Sequence, residues 1–259
     1  VLFCDHYKKI IKTYRDLPKL YNQWCTIVRW EKTTRPFLRS REILWQEGHT
    51  MHRTAEEAME ETLRMFNIYK TFQEDYLAIP VITGKKTEKE KFAGAEVTYT
   101  LEAMMYDGYA LQNGTSHYFG NHFAKAFGIE FLDSYNTLKT PYQTSWGVST
   151  RMIGALIMVH GDDHGLVLPP KIAPFKVVII PIGEVTEKLA ELESNLKESG
   201  ITYKVDNTNK RPGYKFAEAE VKGFPIRIEL GERDLKNNQV TLVRRDTLEK
   251  IAVSFAEII

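Results

Sequence analysis

The sequence predicts an α+β domain built on an antiparallel sheet over residues 1–173, followed by a smaller α/β domain over 174–259. Three observations carry this reading. Two β-rich runs, 23–31 and 37–49, flank a short basic loop, which is the pattern of an antiparallel hairpin. Beyond residue 176, strand-like and helix-like segments alternate, as in a partly parallel sheet. Between the two regimes, Leu168-Pro169-Pro170-Lys171-Ile172-Ala173-Pro174 puts three prolines in seven residues. Such a stiff, poorly pairing stretch marks a boundary near 174.

Each element has its own signal. Leu2, Phe3, Tyr7, Ile10, Ile11 and Tyr14 recur at helical spacing, predicting a helix over 1–16 that stops at Leu17-Pro18. Thr54-Ala55-Glu56-Glu57 is a capping signature for a long helix ending before Pro80. The polar, lysine-rich stretch 83–91 reads as a mobile surface loop. Strands are expected over 95–104 and 109–116, a helix over 118–127 closed by Gly128, a strand over 143–149, and a buried helix over the apolar run 150–160. In the second domain strands are expected at 177–181, 201–205, 226–230 and 239–243, with helices at 184–198 and 214–221.

Composition narrows the function classes. Lys plus Arg number 35 against 34 Asp plus Glu, a net charge of +1, so global charge drives the chain toward neither DNA nor a lipid surface. Cys4 and Cys25 are the two cysteines, too few for a disulfide framework or a cysteine-rich zinc site, and a reducing cytoplasmic location is expected. No apolar run approaches the ~18 residues of a membrane span. Thr83-Gly84-Lys85-Lys86-Thr87 lacks the first glycine of a phosphate loop, since Ile79 stands there. His160-Gly161-Asp162-Asp163-His164 reads as a helix-terminating turn rather than a metal cluster, because adjacent positions on one tight turn rarely converge on one ion. The chain opens on Val1, already inside a helical pattern, which suggests a piece of a larger protein.

The informative stretch is 29–41, where Arg29, Lys32, Arg35, Arg39 and Arg41 stand against one acid, Glu31. Residues at even separation on a strand share a face, so Arg39 and Arg41 lie together, as do Arg29 and Glu31. Two such strands would form a guanidinium clamp suited to phosphate oxygens, which arginine's planar fork binds with two parallel donors. An exposed hairpin with ordinary surface charges would explain the spacing equally well.

Further residues separate these readings. Arg29-Trp30-Glu31 followed by 39–49 (Arg39-Ser40-Arg41-Glu42-Ile43-Leu44-Trp45-Gln46-Glu47-Gly48-His49) resembles motif 2 of the class II aminoacyl-tRNA synthetases in its prolyl form. Lys91-Phe92-Ala93-Gly94-Ala95 and Gln112-Asn113-Gly114-Thr115-Ser116-His117-Tyr118 are similar to further blocks of that family, and Gln143 through Arg151 resembles its motif 3. The region after Pro174, notably Arg211-Pro212-Gly213-Tyr214-Lys215-Phe216 and Gly231-Glu232-Arg233-Asp234, resembles the family's anticodon-binding domain. The stretch between Arg41 and Arg151 leaves no room for a large editing domain, so the likeness is to the archaeal/eukaryotic-type branch.

The resemblance implies a proline-tRNA ligase: ATP-dependent activation of proline to prolyl-adenylate, then transfer to tRNA(Pro), with ATP and Mg2+ as cofactors. It implies Arg29, Arg39 and Arg151 as catalytic residues and Arg29, Glu31, Arg39, Gln112, Thr115 and Arg151 as ATP contacts. For proline it implies Arg29, Trp45, Glu47, Phe92, His117 and Ser149, and for the anticodon Glu220, Arg227, Arg233 and Asp234. Ile43 stands where the family commonly has an aromatic ring, so weaker adenine stacking is expected. The implied partners are proline, tRNA(Pro) and, in the full-length protein, a second copy in a homodimer. Motif 1, the segment that receives the proline amine, and a carboxy-terminal extension are expected outside this stretch. A class II synthetase for another amino acid, such as threonine or glycine, and a non-catalytic tRNA-binding paralogue or fragment are the alternatives.

Overall fold

The computed structural model describes residues 1–258 in two compact units, Val1–Ala155 and Leu156–Ile259. The first unit runs α1 (Leu2–Ile10), β1 (Lys19–Val28), β2 (Glu42–His52), α2 (Ala55–Thr71), β3 (Val81–Lys85), β4 (Val97–Met104), β5 (Ala110–Gly120), α3 (His122–Phe127), the short pair β6 (Phe131–Leu132) and β7 (Leu138–Lys139), and β8 (Tyr142–Ser149). Helix α4 (Arg151–His160) follows.

Six strands form one sheet in the order β1-β2-β8-β5-β4-β3, and every neighbouring pair is antiparallel. The expected hairpin is present, with Cys25 opposite Trp45 and Gln23 opposite Glu47. Alternation sends residues of β2 to two destinations. Gln46 and Gly48 face α2, where Tyr69 donates its hydroxyl to Gln46 Oε1 at 2.6 Å. Phe66, Tyr69, Leu101 and Trp146 pack there as a core. The Trp146 indole lies so close over Gly48 that a β-carbon at that position would sit 2.0 Å from it, which is why glycine is required. Trp45, Glu47 and His49 face the other way, into a cleft. Helices α1 and α3 close one end of the unit around Cys4, Tyr7, Ile11, Met51, Ala124 and Phe131.

Thr54 caps α2 as its sequence signature implies, its side chain accepting the Glu57 N–H. Several expectations need correction. The first helix stops at Ile10 rather than running to 16, because Ile11 turns extended; a separate 3-10 turn, Tyr14–Asp16, follows. The stretch expected as a loop from 83 begins as the edge strand β3, whose register with β4 is set by Val81 opposite Ala103. Residues 118–120 extend β5 and α3 starts only at His122. Helix α4 is not buried all round, since Ile153 and Ile157 are exposed while Ala155 and Leu156 are buried.

The second unit holds β9 (Val177–Ile182), α5 (Thr186–Glu198), β10 (Tyr203–Val205), α6 (Pro212–Lys222), β11 (Ile226–Gly231), α7 (Glu232–Leu235), β12 (Gln239–Arg244) and β13 (Lys250–Ser254). Its sheet order is β10-β9-β11-β12-β13, parallel on both sides of β9 and antiparallel beyond β11. Val177, Val178, Ile179 and Ile180 are all buried because both sheet faces are covered. Ile179 joins Leu192, Leu196 and Ile228 in one core, while Val178 and Ile180 pack with Ala219 in another.

The division between units falls inside α4, earlier than the proline-rich boundary expected near 174. The reason is local. The Leu166 N–H donates to Val221 O at 3.1 Å, and the buried Arg245 guanidinium donates to Asp162 Oδ2 at 2.7 Å through Nη1 and to Asp162 Oδ1 through Nη2, so 161–173 is bonded into the second unit. Asp162 thus serves a structural ion pair, and its carboxyl pKa is held well below the usual range, chiefly by the hydrogen bonds from Arg245. Strand β13 was not anticipated from the sequence; it covers the edge of β12.

Candidate active site in the first unit

The open face of the antiparallel sheet forms a cleft of about 580 Å³. Arg29, Trp45, Glu47, Phe92, Gln112, Thr115, His117, Ser149 and Arg151 all line it, so the structure gathers most of the sequence-predicted residues in one cavity. Glu31 and Arg39 are absent from the lining; they stand nearby as a loose pair, Arg39 Nη1 to Glu31 Oε2 at 3.5 Å, with the Arg39 side chain 62% exposed.

The cleft has a cationic end and an aromatic end. At the cationic end Arg151, first residue of α4, donates from Nε to Leu38 O at 3.1 Å and from Nη1 to Gln112 O at 3.3 Å. Its own N–H donates to Ser149 Oγ at 3.3 Å. Burial lowers the Arg151 pKa, and so do the charges of Arg39 and Arg29. Arg29 and Arg39 thus both add positive charge around Arg151, an arrangement that favours an anion there. Arg29 lies over the Trp45 ring at 5.5 Å, and the Trp45 indole N–H donates to Cys25 Sγ at 3.1 Å, which fixes the ring against β1.

At the aromatic end the Phe92 ring is 5.1 Å from His117 and packs edge-on to Phe119 at 5.7 Å. Glu47 is held by Gln23, which donates to Oε1, and by His49 Nε2 at 3.2 Å from Oε2. His49 itself stacks on Phe3 at 4.2 Å. His49 and Thr98 line the cleft but were missed from the sequence. The signal for His49 was available, since it continues the Trp45, Glu47 alternation along β2.

His117, in the cleft, and His52, buried at the end of β2, both have pKa values pushed down to about 4, chiefly by burial. Their folded values lie below the unfolded value of about 6.5, so the unfolded chain binds more protons in that interval and stability falls as pH drops from about 6.5 to 4. The midpoint of thermal unfolding should decline across that window, and His52→Gln should flatten the decline. A pH-independent midpoint would contradict the assigned burial.

Among the described residues, no group of three or more His, Cys, Asp or Glu is placed to hold a metal ion. In the second unit the predicted anticodon residues occupy two places. Glu220 and Arg227 form an ion pair, Nη1 to Oε1 at 2.7 Å, near the start of β11, and Arg227 also bonds Glu229 Oε1 at 3.0 Å and lies over Phe216. Arg233 and Asp234 sit on α7 beyond the far end of β11, separated by roughly 13 Å of strand at ~3.3 Å per residue. Arg233 is exposed and Asp234 half-buried.

An arginine-lined cleft on a six-stranded antiparallel sheet, with motif-bearing strands β2 and β8 side by side, defines the class. Residues 2–160 match the family described as tRNA synthetase class II core domain (G, H, P, S and T), residues 176–259 match the anticodon binding domain family, and the chain belongs to the class II tRNA synthetase core family. Its relatives are specific: it is 62% identical to the proline–tRNA ligase of Lachnospira eligens over 99% of this chain and 54% of that protein. It is 60% identical to proline–tRNA ligase 2 of Bacillus cereus over 99% of this chain and 55% of that protein. The fold is similar to the crystal structure of prolyl-tRNA synthetase from Cryptosporidium parvum complexed with L-proline and AMP, with a TM-score of 0.95 and 44% identity over 99% of this chain and 57% of that one. The chain spans about half the length of the curated relatives it matches.

Proposed function

We propose that the protein containing this chain is a proline-tRNA ligase, in which the proline carboxylate attacks the α-phosphate of ATP to give prolyl-adenylate and pyrophosphate, and the prolyl group then passes to tRNA(Pro) with release of AMP. The observation that carries this reading is the single cleft in which guanidinium groups stand at one end and an aromatic niche at the other. Attack of the proline carboxylate on the α-phosphorus concentrates negative charge on a pentavalent centre, which positioned cations stabilise without a general base. Arg29, stacked on Trp45, would bridge carboxylate and α-phosphate. Arg39 would meet the β- and γ-phosphates, Glu31 would orient Arg39, and Arg151, Gln112 and Thr115 would hold the nucleoside side, with Ile43 covering one adenine face. Trp45, Phe92 and His117 would enclose the proline ring, with Glu47 and Ser149 as polar supports. Mg2+ would enter as MgATP, since that ion is held mainly by substrate phosphates and water.

In the second unit the exposed Arg233 and the half-buried Asp234 would meet an anticodon base. Glu220 would offer Oε2, which lies 3.5 Å from His164 Nδ1, while Arg227 holds Oε1 in place. A homodimer of the full-length protein is supported by the outer face of β1, where Leu20, Trp24 (81% exposed) and Val28 form an apolar row. No helix among the described residues is long and apolar enough to cross a membrane, and we place the protein in the cytoplasm.

The test is amino-acid-dependent ATP–pyrophosphate exchange on the full-length protein with proline, alanine, cysteine and threonine side by side. Exchange with proline above all is expected. Each missing methylene costs a substrate only ~1–3 kcal/mol in such a pocket, so weak exchange with alanine, which lacks two carbons of the proline ring, fits the reading, whereas exchange with threonine but not proline overturns it.

A further inference from the structure

Thr98 lies on β4 directly opposite His117 on β5, and its side chain is buried, with 1% exposure, at the wall of the cleft. Its hydroxyl oxygen accepts the Phe92 N–H at 3.2 Å and is 2.9 Å from His117 Nδ1. On the other side of the ring, His117 Nε2 is 3.1 Å from Thr115 Oγ1. One hydroxyl therefore ties both aromatic walls of the niche, one on a loop and one on a strand.

Proton counting gives this chain a direction. Burial keeps the imidazole neutral at ordinary pH, so it has one donor and one acceptor nitrogen. If Nδ1 carried the proton, Thr98 Oγ1 would accept from both His117 and Phe92, and its own proton would have no acceptor among the described residues. An unpaired buried hydroxyl costs about 1–3 kcal/mol. In the other arrangement every group is satisfied: Phe92 N–H donates to Thr98 Oγ1, Thr98 O–H donates to Nδ1, and Nε2–H donates to Thr115 Oγ1. The Thr115 hydroxyl proton is then free to point into the cleft.

We propose that Thr98 is a positioning residue that locks His117 in its Nε2–H tautomer and thereby makes Thr115 a hydrogen-bond donor toward the ligand. The group recognised at that point is an oxygen acceptor, such as a carboxylate, phosphoryl or ribose oxygen, and a ligand offering only an N–H there is rejected. The assignment of that oxygen to the aminoacyl-adenylate rests on the function proposed above; the tautomer does not.

The test uses ¹⁵N-histidine-labelled full-length protein, with each histidine assigned by substitution, and reads the tautomer from the ring-nitrogen shifts. In the unsubstituted protein His117 should show a bare Nδ1 and a protonated Nε2. Thr98→Val should release the lock, so that the ring-nitrogen shifts average between the two tautomers, and Thr98→Ser should keep the pattern. In exchange assays Thr98→Val should raise the KM for ATP by up to about tenfold with kcat nearly unchanged, as expected for loss of one hydrogen bond from Thr115 to the nucleotide, and Thr98→Ser should restore it. A protonated Nδ1 in the unsubstituted protein overturns the proposal even if Thr98→Val does not fold, as does a tautomer that Thr98→Val leaves unchanged. Absence of proline-dependent exchange together with the predicted tautomer would sink the ligase reading and leave the lock standing.

Discussion

Replacing Arg29 by alanine is expected to lower proline-dependent ATP–pyrophosphate exchange by roughly 10²–10³-fold, the usual loss when a positioned group that stabilises transition-state charge is removed. Arg29 is the residue best placed for such a loss. It lines the cleft, stacks at 5.5 Å on Trp45, and its charge is one of two that depress the Arg151 pKa. Its backbone N–H donates to Arg41 O at 2.8 Å, a bond that alanine keeps, so the hairpin should survive. Arg29→Lys restores charge without the planar fork and should recover only part of the rate. Binding of tRNA, measured by filter retention, should change little. Equal losses in exchange and in tRNA affinity would contradict the division of labour between the two units.

Arg227→Ala should destabilise the second unit by about 3 kcal/mol, read as a loss in urea midpoint. The Arg227 side chain is 6% exposed and bonds Glu220 and Glu229, whose side chains are 20% and 12% exposed. Removing the cation takes the main partner from two partly buried carboxylates, and breaking a buried pair costs about 3–5 kcal/mol; the exposure of Glu220, and Lys250 Nζ at 3.4 Å from Glu229, put the expectation at the lower end. The cost separates two roles that the sequence could not. If Arg227 reads a base directly, Arg227→Ala weakens tRNA binding with stability intact. If it holds Glu220, stability and binding fall together, and Arg233→Ala, on an exposed site, weakens binding alone.

Much of this architecture was legible because alternation and capping are local. The Trp45, Glu47 and Ser149 side chains reach the cleft through simple strand periodicity, and Thr54 capped α2 where its spacing required. What escaped depends on neighbours distant in sequence. The apolar spacing of 1–16 looks continuous, yet the helix ends where Ile11 must enter a core with Met51 and Phe131. The lysine-rich run from 83 looks like a loop, yet an edge strand tolerates such residues because one side of its ladder faces solvent. Nothing in the sequence says that Arg227 is buried while Arg233 is exposed, because this depends on Glu220 and Phe216 from α6. Thr98 was invisible for the same reason, its partner His117 being fixed only by the β4–β5 register.

The loop between β1 and β2 is fastened at several points. Arg35 and Arg39 exchange backbone bonds at 2.8 and 3.0 Å, Arg151 grips Leu38 O, and Gly154 leaves room for Leu38 so narrow that a β-carbon would lie 2.6 Å from it. Segments that carry a cation to a ligand are often floppy and surrender conformational freedom when the ligand arrives, which weakens binding. Here the backbone of that tip is set when the chain folds, so capture of a triphosphate would have to order little more than the exposed Arg39 side chain.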